Sequence, residues 1–381
     1  LDEKFAISLS IGAISASWQG NGPALVLEEL SFKDNETAPI SLTIAKTSLE
    51  LNLWESIKTL QLKSNYFVIN GFHTTVNVAD LFESGNQDDV SFEQKELIEG
   101  LFLGNTGHFA IENSSINFVL DDNKERKLLL ENIIWQNEES QHLGSGTLAL
   151  PGITVGTFDA RIALKGESLE EVAGNMYVQA NKVDVSNWLA QYINTEKQQL
   201  TSDINLQAWL KIEKGLIDDI KMQWLPSSVT WFNESQSQQV SLSEGGFHLY
   251  PEQGNWFLKS TGLAFNNNNT TWPSLEFEAQ LGENNQIWLN QIDIALLANL
   301  AALTNFDSLD AFLKRKPSGR IQQAYVNYES NQQWQVWFNA NNIGWQELNS
   351  VPAAQGLRVS GLLNQDKGRI SLFGENGTLL T

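Results

Sequence analysis

The chain has 381 residues, 41% of them hydrophobic, and its 45 acidic residues outnumber 24 basic ones to give a formal net charge of -21. This acidic balance argues against an extended nucleic-acid surface and against docking onto an anionic membrane through a basic patch. Cysteine is absent, which excludes disulfides, thiolate metal sites and cysteine nucleophiles.

Strand-like alternation begins in the first residues, LDEKFAISLSIG, and still runs in the last, GRISLFGENGTLLT. The sequence shows neither a signal peptide nor an apolar run of 18 residues, the length that a membrane-spanning helix requires. A chain that starts and stops within a repeating pattern is expected to be a segment of a longer protein.

Apolar residues at every second position recur along the whole chain. Successive side chains of a strand point to opposite faces, so each run predicts a strand with one apolar face. Turn formers separate the runs, as at 121–124, 251–255 and 282–285, which favours hairpins and a mainly β, antiparallel sheet. The residues expected to line the apolar faces are Ile116, Phe118, Leu120, Phe158, Ile162, Leu164, Ile204, Leu206, Ala208, Leu210, Ile212, Leu275 and Phe277.

Helical patterns are few and short. Apolar residues at helical spacing predict helices near 92–103, 186–193, 295–304 and 308–315, the second capped by Ser186. No composition shift or Pro/Ser-rich linker divides the chain. Residues 1–381 are therefore predicted to form one continuous β-rich segment.

Chemistry-bearing motifs are missing from the sequence. The four histidines, His73, His108, His142 and His248, have no HxH or HExxH spacing, so no local metal site is predicted. GNGPAL at 20–25 has Leu25 where a dinucleotide-binding loop needs its third glycine. We therefore predict no catalytic residues, no metal, no cofactor and no enzymatic activity.

The stretch DINLQAWLKIEKG, 203–215, leaves two interpretations open. Its apolar face, from Ile204 to Ile212, could be an ordinary core or the lining of a path for an apolar ligand. Trp209 falls on the polar face, without an explanation from the sequence. The thirteen tryptophans also raise the possibility of glycan stacking, but they are spread from Trp18 to Trp345 rather than clustered.

Four ordered segments resemble the YhdP family of AsmA-like bacterial envelope proteins. They are IGAISASWQGNGPALVLEELSF at 11–32, NMYVQANKVDVSNWLAQY at 175–192, DIALLANLAALTNF with KRKPSGRIQQAYVNY within 293–328, and WQVWFNANNIGWQELNSVPAAQGLRVSGLL at 334–363. None is a catalytic motif, and the resemblance rests on their number and order over nearly the whole chain.

The resemblance implies an elongated, twisted sheet curled into an open apolar groove that shields phospholipid acyl chains between the inner and outer membranes. It implies a periplasmic location, with inner-membrane anchoring and membrane contacts supplied by parts missing from this chain, and it leaves room for envelope protein partners. A groove of this kind needs no cofactor and binds no nucleic acid. The alternative is a closed β-sandwich, an envelope scaffold or glycan- or protein-binding module whose apolar faces are sealed as core.

Overall fold

A computed structural model describes the chain at residues 8–19, 22–33, 42–51, 58, 64–77, 95, 98–104, 107–119, 125–153, 155–189, 200–233, 236–267, 270–282, 284–301, 314–329, 333–348, 351–374 and 377–380. The chain packs into two compact units. The first comprises Leu1–Gln179 and Trp209–Ile217, and the second Ala180–Ala208 and Asp218–Thr381.

The described residues are mainly strands. In chain order these are β1 Ser8–Gln19, β2 Gly22–Lys33, β3 Leu42–Leu51, β4 Ser64–Asn77, β5 His108–Val119, β6 Glu125–Glu138, β7 Gln141–Ala149, β8 Thr157–Lys165, β9 Ala173–Val183, β10 Leu200–Glu213, β11 Leu216–Trp224, β12 Ser227–Asn233, β13 Gln236–Glu252, β14 Asn255–Asn267, β15 Thr270–Thr271, β16 Phe277–Leu281, β17 Asn284–Asp293, β18 Ser318–Glu329, β19 Trp334–Trp345, β20 Ala353–Asn364, β21 Gly368–Phe373 and β22 Thr378–Leu380. The prediction of a mainly β, antiparallel sheet with a few short helices is confirmed.

Strands β4 and β5 depart from the antiparallel arrangement of the sheet. They run parallel, with Tyr66 opposite His108 and Asn77 opposite Val119. A parallel pair needs a crossover connection rather than a tight hairpin. The helix predicted near 92–103 lies in this crossover, and its described part includes a π-helical turn at Glu99–Leu103.

Two further helices are α1, Ser186–Leu189, and α2, Ile294–Ala301. They overlap the helices predicted near 186–193 and 295–304, of which 190–193 and 302–304 lie outside the described residues. Of the helix predicted at 308–315, residues 308–313 lie outside them, and 314 and 315 form a turn. The single continuous segment over 1–381 stays a prediction.

A row of irregular positions crosses β1 to β6 of the first unit. In each of these ladders one pair of opposite residues is not joined as a regular strand pair, while the residues before and after it stay paired in the same register. Several residues of these unjoined pairs have left-handed backbone, with φ of 55° at Glu29, 71° at Gly71 and 48° at Asn113. Such bulge-like residues bend a strand and increase its local twist. The aligned bulge row consists of Gly12, Glu29, Ala45, Gly71, Asn113 and Glu131.

Substituting Gly71 by alanine is expected to destabilise the first unit by about 3 kcal/mol. The backbone at Gly71 has φ +71°, and an added Cβ would lie 2.7 Å from the Ala45 Cβ. Gly107→Ala is the matched control, because Gly107 has φ +73° with nothing within 4 Å of the added Cβ, and it should cost only about 1 kcal/mol. Urea unfolding of both variants measures the difference. Equal losses would show that the contact across the bulge row is unimportant.

Strand β9 connects to α1 through a serine-bound carboxylate. The Asp184 Oδ1 accepts hydrogen bonds from the Ser186 amide at 2.9 Å, the Ser202 amide at 3.1 Å and the Ser202 hydroxyl at 2.9 Å. Burial acts to raise the pKa of Asp184, but these hydrogen bonds outweigh it and hold the pKa of the carboxyl below its usual value. Asp184 thus fixes the start of α1 to β10.

Replacing Asp184 by asparagine should lower the free energy of unfolding by about 1–2 kcal/mol at neutral pH. A depressed folded-state pKa contributes stability above the unfolded pKa of about 4, and this contribution is lost as the pH falls through the folded value. The difference between wild type and Asp184→Asn is therefore expected to shrink at pH 3. Urea unfolding of both proteins at pH 7 and pH 3 measures it. A difference that is the same at both pH values would contradict the assignment.

Candidate functional site

The second unit carries a continuous apolar surface across β13 to β21. Residues directly opposite in neighbouring strands share a face of the sheet, so the strand register shows which side chains lie in one row. Three adjacent rows on one face are wholly apolar, and we call them the apolar wall. The rows are Leu249, Leu258, Ala279, Ile287, Val326, Val336 and Leu363; Phe277, Leu289, Ala324, Phe338, Gly361 and Ile370; and Ile292, Ile321, Ala340, Val359 and Leu372.

The apolar wall is not sealed as a core. Its fully buried members are Val359 and the small residues Ala279, Ala324, Ala340 and Gly361. The other large side chains of the wall are half-buried or exposed. In a closed sandwich the opposing sheet would bury such residues almost completely. Within the described part of the second unit, these side chains leave apolar area accessible to a ligand.

The opposite face of the same strands is mixed and includes a row of large side chains, Trp288, Tyr325, Trp337 and Leu362. Immediately beside the first row of the wall, but pointing to the other side, five amide side chains stand opposite one another on successive strands. The residues of this amide row are Gln280, Gln286, Asn327, Gln335 and Asn364. These two neighbouring rows therefore separate amide side chains on one face of the sheet from apolar side chains on the other.

A pocket adjoins the wall. It has a volume of about 240 Å³ and is lined by apolar side chains from β10 to β14, among them Ile204, Val240 and Phe265. Phe247 lines the pocket, and its ring centroid lies 5.7 Å from that of Phe277 in the second row of the wall. The pocket and the wall thus form one apolar surface.

Large residues mark the hairpin end of this face. Trp256 and Leu281 stand opposite each other, as do Tyr328 and Trp334, and all four are exposed. Their positions alternate in phase with the wall residues of the same strands, so they share its face. Aromatic side chains with polar tips suit a boundary between apolar and wet surroundings.

The apolar face of the first unit is more closed. Phe109 and Ile111 have no exposed surface, and the crossover residues Leu101, Phe102 and Leu103 pack into their cluster. The Phe67 and Phe109 rings stack at 5.0 Å, and Phe102 meets Phe109 and Trp135 edge-on. The crossover turn therefore covers part of this face.

Buried hydrogen bonds fix the crossover turn in place. The Trp135 indole donates to the Phe102 carbonyl at 2.9 Å and to the Asn137 Oδ1 at 2.9 Å, while the Asn137 amide donates to the Leu101 carbonyl at 3.2 Å. The His142 ring, with no exposed surface, lies 2.8 Å from both the Asn137 Oδ1 and the Gly166 carbonyl. We call Trp135, Asn137 and His142 the Asn137 cluster.

The exposed strand β1 continues the apolar face at its edge. Ile14 stands opposite Leu27, which packs against the core of the first unit, so both side chains share that face. Ile14 is 62% exposed, and Trp18, four pairs along the ladder on the same face, is 74% exposed. Apolar surface at this edge of the first unit remains accessible.

The predicted lining residues fall into three environments. Leu164 belongs to the closed cluster of the first unit, and Ile116, Ile162 and Ile212 pack against it. Ile204 lines the pocket, Phe277 belongs to the wall, and Leu275 pairs with the pocket residue Leu263. The other predicted residues belong to neither the core cluster, the pocket nor the wall: Ala208 is buried, and Phe118, Phe158, Leu206 and Leu210 are half-buried. Leu120 lies outside the described residues.

Trp209 gains an explanation from the structure. It is 43% exposed on the polar face of β10, and its ring centroid lies 5.6 Å from that of Tyr177 in the same unit. Aromatic pairs on neighbouring strands stabilise a sheet. The tryptophan is a packing residue on the outer face.

The described ranges carry neither a metal centre nor a helix that could cross a bilayer. No group of three or more His, Asp or Glu side chains there is placed to hold a metal ion. The helices in those ranges also include none with the length and apolar character needed to cross a bilayer. The apolar surface of the second unit is the candidate site.

Comparisons with known proteins agree on one relationship. The family model described as "YhdP protein" matches residues 1–381. The chain is 22% identical over 364 residues to the "Intermembrane phospholipid transporter YhdP" of Escherichia coli (strain K12), covering 90% of this chain and 28% of that protein. The chain thus spans less than a third of the length of the curated relative that it matches. No solved structure matches it significantly.

Proposed function

We propose, from the premise that this chain belongs to the YhdP family, that it is a segment of a periplasmic protein that transfers phospholipid between the inner and outer membranes. The observation that carries the proposal is the apolar wall, whose large side chains stay accessible. Exposing a lipid tail to water costs about 0.8 kcal/mol per methylene. A continuous apolar surface offsets that cost along its length.

The proposal includes no bond-making step. Acyl chains lie on the apolar wall and in the adjoining pocket, and headgroups stay in water. The pocket residue Ile204 and the wall residue Phe277 are proposed contacts of the acyl chains. Leu206 and Leu210 fall on the same alternating positions of β10 as Ile204. Inner-membrane anchoring and contact with envelope proteins are proposed for parts of the full-length protein beyond this chain.

A closed scaffold remains the second candidate for the first unit alone. Its core cluster, with fully buried Phe109 and Ile111, resembles the sealed face of an ordinary sheet. On this interpretation the first unit carries no lipid of its own. The exposed Ile14 and Trp18 on β1 are the observation against it.

Lipid retention tests the proposed function. The chain, expressed with export to the periplasm and purified without detergent, is expected to carry phospholipid visible by native mass spectrometry and by extraction. Ile14→Asp against Ser15→Asp then separates the two interpretations of the first unit, because these neighbours point to opposite faces of β1. A protein that never retains phospholipid would overturn the proposal.

A further inference from the structure

A basic segment lies at one end of the apolar wall. Residues 314–320, KRKPSGR, hold four of the 24 basic residues of a chain whose net charge is -21. Lys314, Lys316 and Arg320 are exposed and Arg315 is half-buried. None of the four forms an ion pair with any residue in the described ranges. Asp293 stands opposite Arg320 in the ladder of β17 and β18 but forms no ion pair with it. Four cations without an ion pair to the described residues are unexpected in so acidic a protein.

The fold fixes this segment against the wall. Arg320 directly precedes Ile321, which stands opposite Ile292 and Ala340 in the third row of the wall. The Gln346 amide donates to the Arg315 carbonyl at 2.7 Å, and Pro317 is buried, so the turn is held against β19. Ser318 to Ile321 spans about 10 Å at roughly 3.4 Å per strand residue. Because successive side chains of a strand alternate, Arg320 points to the face opposite the wall, and Lys314 and Lys316 lie on the turn that precedes β18 at this end of the wall.

Charge and apolarity side by side match the two parts of a phospholipid. Lys and Arg are the side chains that bind phosphate oxygens, Arg through its fork and Lys as a point charge. Elsewhere the acidic surface repels an anion. We propose that the basic segment binds the phosphate of a phospholipid whose acyl chains lie on the apolar wall, so that the headgroup end of the lipid is placed at the start of β18. This inference rests on the proposed function.

A comparison of two short-chain lipids tests it. Dioctanoyl phosphatidylglycerol and dioctanoyl glycerol have the same tails, and below the concentration at which they form micelles each binds as a single molecule. At low salt the wild-type chain is expected to bind the phosphatidylglycerol about tenfold more tightly. In the triple variant Lys314→Gln, Lys316→Gln, Arg320→Gln this preference should fall below about twofold, with dioctanoyl glycerol binding unchanged. Raising the salt to about 0.5 M should reduce the wild-type preference toward that of the variant.

A variant of equal charge provides the control. Lys127→Gln, Arg161→Gln, Lys165→Gln removes three exposed cations from the first unit and should keep the preference. If this control loses it equally, the effect is one of net charge and the inference fails. If inorganic phosphate at millimolar concentration displaces the lipid fully, the site is one for free phosphate, which also overturns it. Equal binding of both lipids by wild type would refute the inference while leaving the proposed function standing, whereas binding of neither would overturn the function itself.

Discussion

A glutamate at position 336 is expected to remove bound phospholipid from the second unit, whereas a glutamate at the preceding position leaves it in place. Val336 lies in the first row of the apolar wall between Val326 and Leu363, and it is half-buried. In the lipid-free protein the new carboxylate can stay hydrated. Acyl chains lying on it would strip that water, which costs several kcal/mol and corresponds to a loss of roughly 100-fold or more in lipid occupancy.

Gln335→Glu is the matched control for Val336→Glu. Gln335 belongs to the amide row on the opposite face of β19 and is exposed, so the same charge is added one residue away without touching the wall. Quantifying phospholipid per mole of purified protein, with circular dichroism to confirm folding, gives the readout. Equal lipid content in two folded variants would mean that the wall does not contact acyl chains.

The second large effect is expected at the Asn137 cluster. Asn137→Leu would leave the Trp135 indole with one acceptor fewer and the Leu101 carbonyl and His142 ring each without a partner at this position. Buried polar groups that lose their hydrogen bonds cost about 1–3 kcal/mol each, so the first unit should lose about 3–5 kcal/mol. The loss should concentrate at the crossover turn, which these bonds fix to β6.

Hydrogen exchange locates that effect. Amides at 99–104 are expected to exchange faster by about two orders of magnitude or more in Asn137→Leu, in line with the free energy lost, while those of β17 to β20 are unaffected. Asn132→Leu, an exposed position on the same strand, serves as the control for adding a leucine to β6. Unchanged exchange at 99–104 would show that apolar packing alone holds the turn.

The sequence was sufficient for the class of fold and for individual apolar faces. Alternation in β10 predicted one apolar face, and Ile204 and Ile212 indeed contact apolar surroundings within their respective units. It could not show which strands stand side by side. The parallel pairing of β4 with β5 depends on contacts between residues 42 positions apart, which a local pattern does not encode.

Bulges also interrupt the two-residue alternation from which the apolar faces were predicted. Leu289 and Ile292 are three residues apart, a spacing that would place them on opposite faces of a regular strand. Gln291 between them has φ of 40°, and the skipped position returns Ile292 to the wall. In the sequence the basic segment at 314–320 overlaps the end of the helix predicted at 308–315 and the segment within 293–328 that carries the family resemblance. Its relation to the wall appears only once β18 is paired.

The amide row affects how a broad sheet accommodates an excess of acidic residues. Repetition across a broad sheet brings equivalent positions together in columns, and like charges directly opposite each other destabilise neighbouring strands. With 45 acidic side chains in the chain, a column of carboxylates at Gln280, Gln286, Asn327, Gln335 and Asn364 would multiply that repulsion from strand to strand. Uncharged amides supply both a donor and an acceptor at every step. This part of the face can thus stay polar without repulsion between neighbouring strands. Strands can therefore be added to the sheet without electrostatic repulsion accumulating along the ladder.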